Sequence, residues 1–334
     1  MNEQIFLLQL TDTLYKKPFN KVSDFKNIDF YKLYKIAKEN NLLFYISSVI
    51  NDNYLQLIPN EEKKRIRTMT KRGKRIINKI INSISIIEKR NDYILVKTYR
   101  GYPRLAHDLD LLVKNLTNWS DYLKRSNLKS FNYDKHLNEI CFSNSITAKI
   151  HLHTKMNWVN KSYFDDDLIW YKPRKVSYLG KSVIIPNYTA DFLIHIAHIN
   201  YEPMHFTLSE LLYIFNISSK VKWSIALNQA KKYHWFKTFI NTLNIFNIFH
   251  WYYFNSPAPF NKIILEKKVI AKNISYQLPR SFPRTHIIKA FFEKGIYFEP
   301  LKKINKVAKV LLSGNSRSGF YQAPEDELIL GINY

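Results

Sequence analysis

Residues 94–113 read ILVKTYRGYPRLAHDLDLLV, two apolar runs separated by a loop that contains glycine and proline. The second run opens with Asp108 and Asp110, which flank Leu109. Side chains alternate between the two faces of a β-strand, so both carboxylates are predicted to share one face. Paired carboxylates can bind a hard divalent cation together with phosphate oxygens. The stretch therefore predicts a strand with a metal site, although a D-x-D pair alone is also common in turns and helix caps.

The surrounding sequence predicts the α+β centre of the chain. Short β-like runs occur at Tyr93–Lys97, Leu109–Val113, Glu139–Ser143, Ala148–His153 and Ser182–Ile185. The third and fourth runs are close enough to form a hairpin, and residues 119–127 have a helix-compatible pattern that would pack on the sheet.

Helical spacing of apolar residues dominates both flanks of this centre. We therefore predict an N-terminal helical region at 1–92, a mixed β-sheet core at 93–190, and a C-terminal helical, basic region at 191–334. The aromatic stretch Phe236–Phe254 is interrupted by polar residues, which predicts a core helix and not a membrane span.

The chain is strongly basic, with 51 lysines and arginines against 27 acidic residues and a formal charge of +24. Eleven of these cations lie between residues 63 and 90, along one side of a predicted helix. This charge favours a polyanionic partner such as RNA. Two simpler explanations remain open, namely a solvated helix face and the lysine-rich codon usage of an AT-rich genome.

Cys141 is the single cysteine, which excludes an intrachain disulfide and favours a reducing compartment. The N-terminal residues do not have the basic and apolar pattern of a signal peptide. We therefore expect a cytoplasmic protein without a membrane partner.

The segment 94–113 resembles an uncharacterised nucleotidyltransferase family of the DNA polymerase β-like superfamily. The resemblance rests on Lys97 at a strand end, Arg104 in the loop, and the run Asp108–Val113. Lys149–His153 and the histidine-containing segment 191–214 are similar to later elements of that family. The resemblance implies a nucleotidyltransferase-like mixed sheet flanked by helical regions, an NTP substrate and Mg²⁺, with Mn²⁺ as an alternative.

By the same resemblance, Asp108 and Asp110 would bind the metal and act in catalysis, and Lys97, Thr98 and Arg104 would bind the nucleotide. Two positions depart from the family pattern. Thr98 stands where the family has a glycine, and His151 stands where it has a third carboxylate, so we assign His151 to the catalytic set in its place. An imidazole can ligate a metal or accept a proton, but it suits manganese or zinc better than magnesium.

These features predict a metal-dependent nucleotidyltransferase that moves a nucleoside monophosphate from an NTP to an acceptor, with RNA or tRNA as the leading candidate. A small molecule or a protein side chain is an alternative acceptor. The alternative from another class is a non-catalytic nucleic-acid-binding protein on the same fold, which His151 and the positive charge both favour. Asp165 would supply the missing carboxylate if its loop folded back to the site.

Overall fold

The computed structural model describes residues 3–10, 28–99, 108–134, 139–158, 161–263, 280–282 and 284–294. The described part of the N-terminal region is helical. Its helices are α1 (Glu3–Leu10), α2 (Phe30–Glu39), α3 (Leu43–Asn53) and α4 (Asn60–Ile87).

Helix α4 is long because its apolar residues recur on one side, where Ile66, Ile77 and Ile84 are buried. Gly73 is buried on this side against α3, and a Cβ at that position would overlap the Phe44 ring. The close approach of the two helices therefore requires glycine at residue 73.

The core contains a mixed five-stranded sheet of order β1-β2-β5-β4-β3. Its strands are β1 (Tyr93–Val96), β2 (Asp108–Val113), β3 (Lys129–Asp134), β4 (Glu139–Ser143) and β5 (Lys149–His153), with helix α5 (Leu116–Arg125) between β2 and β3. Strands β2 and β5 are parallel, and the other neighbouring pairs are antiparallel. The predicted α+β class and the β4–β5 hairpin are confirmed, whereas β3 was not predicted.

One face of the sheet packs against α4 and α5. Leu109, Leu111, Ile150 and Leu152 of the central strands are fully buried there, in a cluster that also contains Trp119 of α5. Because neighbouring side chains of a strand point to opposite faces, the intervening polar residues of β2 and β5 lie on the other face. The apolar alternation thus fixes which face of the sheet carries the polar site.

Short elements connect the sheet to the C-terminal helices. They are β6 (Asn157–Trp158), β7 (Lys161–Ser162), α6 (Asp166–Trp170) and the hairpin β8 (Arg174–Tyr178) and β9 (Lys181–Ile185). The longer helices that follow are α7 (Tyr188–Tyr201), α8 (Leu208–Ser218), α9 (Trp223–Lys232), α10 (Phe236–Phe254) and α11 (Arg284–Glu293). The last pair of described strands is β10 (His205–Phe206) with β11 (Arg280–Ser281).

The N-terminal and C-terminal helices share one hydrophobic core. Phe6 of α1, Ile46 of α3 and Phe192 of α7 belong to the same buried cluster as Phe239 and Phe246 of α10. Helix α10 thus packs as the predicted core helix. Within the described part of the chain, no helix combines the length and the apolar character that crossing a membrane requires.

Candidate metal and nucleotide site

The parallel pairing of β2 with β5 brings Asp110 next to two histidines. In the register of the two strands, Asp110 lies opposite His151, and His153 follows on the same face of β5. His153 Nε2 lies 2.9 Å from Asp110 Oδ1. One potential ligand atom from each of Asp110, His151 and His153 lies within 4.8 Å of the others, so the three side chains could hold a metal ion.

Lys97 approaches Asp110 from the end of β1. Its Nζ lies 3.9 Å from Asp110 Oδ2, and only 16% of each side chain is exposed. Lys97 has a φ of 59°, a left-handed conformation that is uncommon for residues other than glycine. The chain therefore turns sharply at Lys97, where the lysine predicted from the sequence meets the predicted aspartate.

Thr98 is buried directly behind this turn. Its N–H donates to Val96 O at 2.6 Å, and its Oγ1 accepts from the Asp110 N–H at 3.4 Å. Thr98 thus joins the turn to β2, and the nucleotide contact predicted for this residue stays a prediction.

Glu202 is a further member of the site, and the sequence analysis did not identify it. It follows the last residue of α7, and its Oε2 lies 3.8 Å from Lys97 Nζ. The same oxygen accepts from Trp158 Nε1 at 2.9 Å and lies 2.7 Å from His198 Nδ1. The i,i+4 spacing of His198 and Glu202 is a local signal for the contact between these two residues, but it does not predict the contact of Glu202 with Lys97.

Charged groups of opposite sign lie close together in the site and are partly shielded from solvent. Burial raises the pKa of the Asp110 carboxyl, but the nearby Lys97 and the hydrogen bond from His153 outweigh it and leave this pKa below its usual range. The pKa of Glu202 is likewise lowered, because Lys97 and His198 outweigh its burial. Both carboxyls are therefore ionised at neutral pH, as metal ligation or ion pairing with Lys97 requires.

The remaining predicted residues lie apart from this group or outside the described residues. Asp108 opens β2, two residues before Asp110, and is paired in register with Lys149. It is half-buried and does not join the three-residue group. Arg104 lies outside the described residues. Of the two predicted aspartates, Asp110 belongs to the group in the described residues, together with His151 and His153.

Asp165 does not provide the missing carboxylate. Its side chain accepts from Lys232 Nζ and Tyr233 OH, each at 2.6 Å, and from Gln229 Nε2 at 2.8 Å. These hydrogen bonds, first that of Lys232, lower the pKa of Asp165 to about 2. Asp165 therefore joins its loop to α9 as a structural residue.

The donor set discriminates between metals. One carboxylate and two imidazoles are typical ligands of zinc and other transition metals, whereas Mg²⁺ prefers oxygen ligands in octahedral geometry. Cys141 Sγ lies 3.4 Å from His151 Nε2, so the thiol contacts one of the imidazoles. These residues fit Mg²⁺ poorly and a softer divalent ion well.

Comparisons with protein-family models, with curated proteins and with solved structures found no match to this chain.

Proposed function

We propose that Asp110, His151 and His153 bind a divalent metal ion, and that the chain transfers a nucleoside monophosphate from an NTP to an acceptor. The observation that carries the proposal is the β2–β5 register, which sets Asp110 opposite His151 and in hydrogen-bond contact with His153. The resemblance of residues 94–113 to nucleotidyltransferases supports the same reaction.

In the proposed reaction, an acceptor oxygen attacks the α-phosphorus of the NTP, and the bond to the bridging oxygen of the pyrophosphate breaks. The acceptor loses a proton to a base, and pyrophosphate leaves. Bound metal would supply positive charge that neutralises the phosphate oxygens. Lys97 would supply a second cation for the same oxygens, because its Nζ is already within 4 Å of Asp110.

Glu202 is better suited to positioning Lys97 than to accepting the acceptor's proton. Its lowered pKa makes it a weak base near neutral pH. Its contacts with Lys97, His198 and Trp158 instead fix the lysine above the sheet. We therefore assign Glu202 a positioning role and leave Asp108 with its predicted catalytic role.

The proposed metal is Mn²⁺ or a comparable transition metal. Imidazole nitrogens bind such ions more readily than Mg²⁺, and two of the three donor residues are histidines. We therefore expect Mn²⁺ to support the transfer reaction at concentrations at which Mg²⁺ has little effect.

The test is to incubate the protein with each α-labelled NTP, Mg²⁺ or Mn²⁺, and total RNA. The control is the double variant Asp108→Ala/Asp110→Ala. Label on RNA from the wild type, with at least about a 100-fold loss in the variant, supports the proposal. Equal labelling by both proteins contradicts it, and label transferred only from a γ-labelled NTP indicates phosphotransfer instead.

A second function is favoured by two features of the site. His151 stands where a carboxylate was expected, and Lys97 already pairs with Asp110. A non-catalytic nucleic-acid-binding protein on this fold would have the same features. In that case no NTP or metal would support transfer, and RNA binding would persist in the double variant.

A further inference from the structure

Helix α4 carries an unusual concentration of positive charge. Nine of the 17 residues from 63 to 79 are lysine or arginine, against 51 of 334 in the whole chain. The acidic residues of α4 are Glu61 and Glu62, both in its first turn. Composition common to the whole chain therefore does not account for the charge of α4, because the cations are clustered on this helix.

The cations of the middle of α4 are exposed. Lys71, Lys74, Arg75 and Lys79 all point to solvent, and none has an ion-pair partner within the part of the chain that the structure describes. Lys71, Arg75 and Lys79 follow one another at i,i+4 spacing, where like charges destabilise a helix by a few tenths of a kcal/mol per pair. A bound polyanion would remove this repulsion.

The extent of the basic face favours a polymer over a small anion. From Lys64 to Lys79 the helix rises by about 22 Å, at about 1.5 Å per residue. The N-terminal half of this face forms an open groove lined by Asn60, Lys63, Lys64, Arg67, Thr68 and Lys71. A single phosphate would contact one turn of α4, whereas a nucleic-acid backbone would contact its whole length.

The basic face ends at the edge of the sheet where β2 and β5 begin. The Ala148 N–H donates to Lys79 O at 3.2 Å, and Ser83 Oγ donates to Ala148 O at 3.3 Å. The next residue, Lys149, is exposed and is paired in register with Asp108. Helix α4 packs on the face opposite the metal group, so a bound strand would cross this edge to reach Asp108 and Asp110.

We infer that the basic face of α4, which runs from Lys64 to Lys79 and includes the exposed Lys71, Lys74, Arg75 and Lys79, binds the backbone of an RNA strand whose 3′ end is the acceptor. This inference rests on the proposed function for the identity of the acceptor, but RNA binding itself does not require catalysis. Asp110, His153 and Lys97 are at most 16% exposed, so the interior of a duplex would not reach them. Proteins recognise RNA mainly at single-stranded loops and ends, which suits such a recessed site.

The test measures binding of a fluorescently labelled single-stranded RNA by anisotropy, without NTP, across a salt series. The α4 variant combines Lys71→Gln, Lys74→Gln, Arg75→Gln and Lys79→Gln. The matched control removes four exposed lysines elsewhere through Lys124→Gln, Lys129→Gln, Lys175→Gln and Lys289→Gln. Circular dichroism verifies that both variants are folded, and glutamine preserves helix propensity in α4.

We expect the α4 variant to lose affinity by on the order of 100-fold at about 0.1 M salt, because each lost phosphate contact lowers the salt slope by about 0.7. The slope should fall by about 3 in the α4 variant and by less than 1 in the control. Equal losses in both variants would overturn the inference, as would wild-type protein that binds no RNA. Equally tight binding of single-stranded DNA would overturn the assignment to RNA.

The binding experiment, combined with the NTP-labelling assay described above, separates this inference from the proposed function. If RNA binding depends on α4 but no nucleotide is transferred, the RNA-binding surface is supported and the transferase activity is contradicted. If nucleotide is transferred to a small acceptor and RNA binding does not depend on α4, the transferase activity is supported and the RNA-binding surface is contradicted. The Asp108→Ala/Asp110→Ala protein should bind RNA as tightly as the wild type, since neither aspartate belongs to the basic face.

Discussion

Two of the carboxylate–histidine pairs near the segment 97–99 differ in how far they are exposed to solvent. Asp191 and His195, on α7, have side chains that are 5% and 1% exposed, with Asp191 Oδ1 3.4 Å from His195 Nε2. Asp110 and His153, on the sheet, are 16% and 12% exposed and 2.9 Å apart. Because the two pairs have the same residue types, their surroundings are what distinguishes them.

The Asp191 pair is closed by donors from two other elements, β8 and α8. Asp191 Oδ2 accepts from Arg174 at 2.8 Å and from the Tyr213 hydroxyl, and Arg174 also donates to Pro186 O at 2.9 Å. Arg174 is stacked on the Tyr188 ring at 3.7 Å. This network joins the β8–β9 hairpin to α7 and α8, so we interpret it as structural.

The Asp110 pair is more exposed than the Asp191 pair, and the network around Asp191 supports it. The ring of Tyr99 lies between Tyr178 and Tyr213, at centroid distances of 5.5 and 6.3 Å. Tyr213 in turn donates to Asp191. The closed network therefore holds the segment that presents Lys97 to Asp110, and the two pairs should respond differently to mutation.

The largest expected effect is on stability, from Asp191→Ala. Removing one partner of a buried ion pair leaves the Arg174 guanidinium without its counter-ion, which costs about 3–5 kcal/mol. Urea denaturation should measure this loss in the free energy of unfolding. The control is Asp167→Ala on α6, an exposed aspartate whose loss should change stability by less than about 0.5 kcal/mol. A loss below about 1 kcal/mol for Asp191→Ala would contradict a structural role.

The second effect is on metal binding, from Asp110→Asn. The amide keeps the shape of the side chain but removes its charge, so the affinity for Mn²⁺ should fall by at least about 100-fold, or roughly 2.7 kcal/mol. Calorimetric titration measures it, and Asp121→Asn on the exposed face of α5 is the matched control. Unfolding free energy should fall by only about 1 kcal/mol, because this pair is more exposed than that of Asp191. Unchanged Mn²⁺ affinity would mean that the Asp110 group does not bind this metal.

The sequence predicted the strands that carry the Asp110–His153 pair better than the residues around it. Asp110 and His153 both lie in predicted β-like runs, because alternation of apolar and polar residues is a local pattern. Glu202 lies 92 residues after Asp110 in the sequence and reaches Lys97 only through the packing of α7. No local pattern reports such a contact, and the same holds for the core shared by α1, α3 and α10.

Some secondary structure was also missed for physical reasons. Strand β3 reads KSFNYD, in which polar residues outnumber apolar ones, and its pairing with β4 supplies most of its order. Helix α6 has only five residues, too few for a helical period to be visible. The metal preference was predicted from His151 alone, while the structure adds His153 to the donor set.

The third effect is on metal selectivity, from His151→Asp. A carboxylate at residue 151 would add the oxygen donor that Mg²⁺ prefers, so Mg²⁺ affinity relative to Mn²⁺ should rise about tenfold, or about 1.4 kcal/mol. Competition titrations of the two ions measure this ratio. His234→Asp is the control, since His234 is exposed after α9 and an aspartate tolerates its φ of 55°. An unchanged ratio would show that His151 is not a ligand.

The smallest effect is the pH dependence of stability that Asp110 contributes. Burial acts to raise the pKa of Asp110, but Lys97 and His153 lower it more, so its folded pKa is below the unfolded value of about 3.9. A lowered carboxyl pKa stabilises the fold above the unfolded value, and this contribution is lost as the pH falls towards the folded value. The free energy of unfolding of the wild type should therefore exceed that of Asp110→Asn by about 1 kcal/mol at pH 7, and the difference should shrink below about pH 4. Urea denaturation in a chelating buffer at pH 7, 5, 4 and 3 measures it, and Asp121→Asn should show no such trend. A difference that widened on acidification would mean that Asp110 is ionised more easily in the unfolded chain, and that Lys97 does not stabilise its charge.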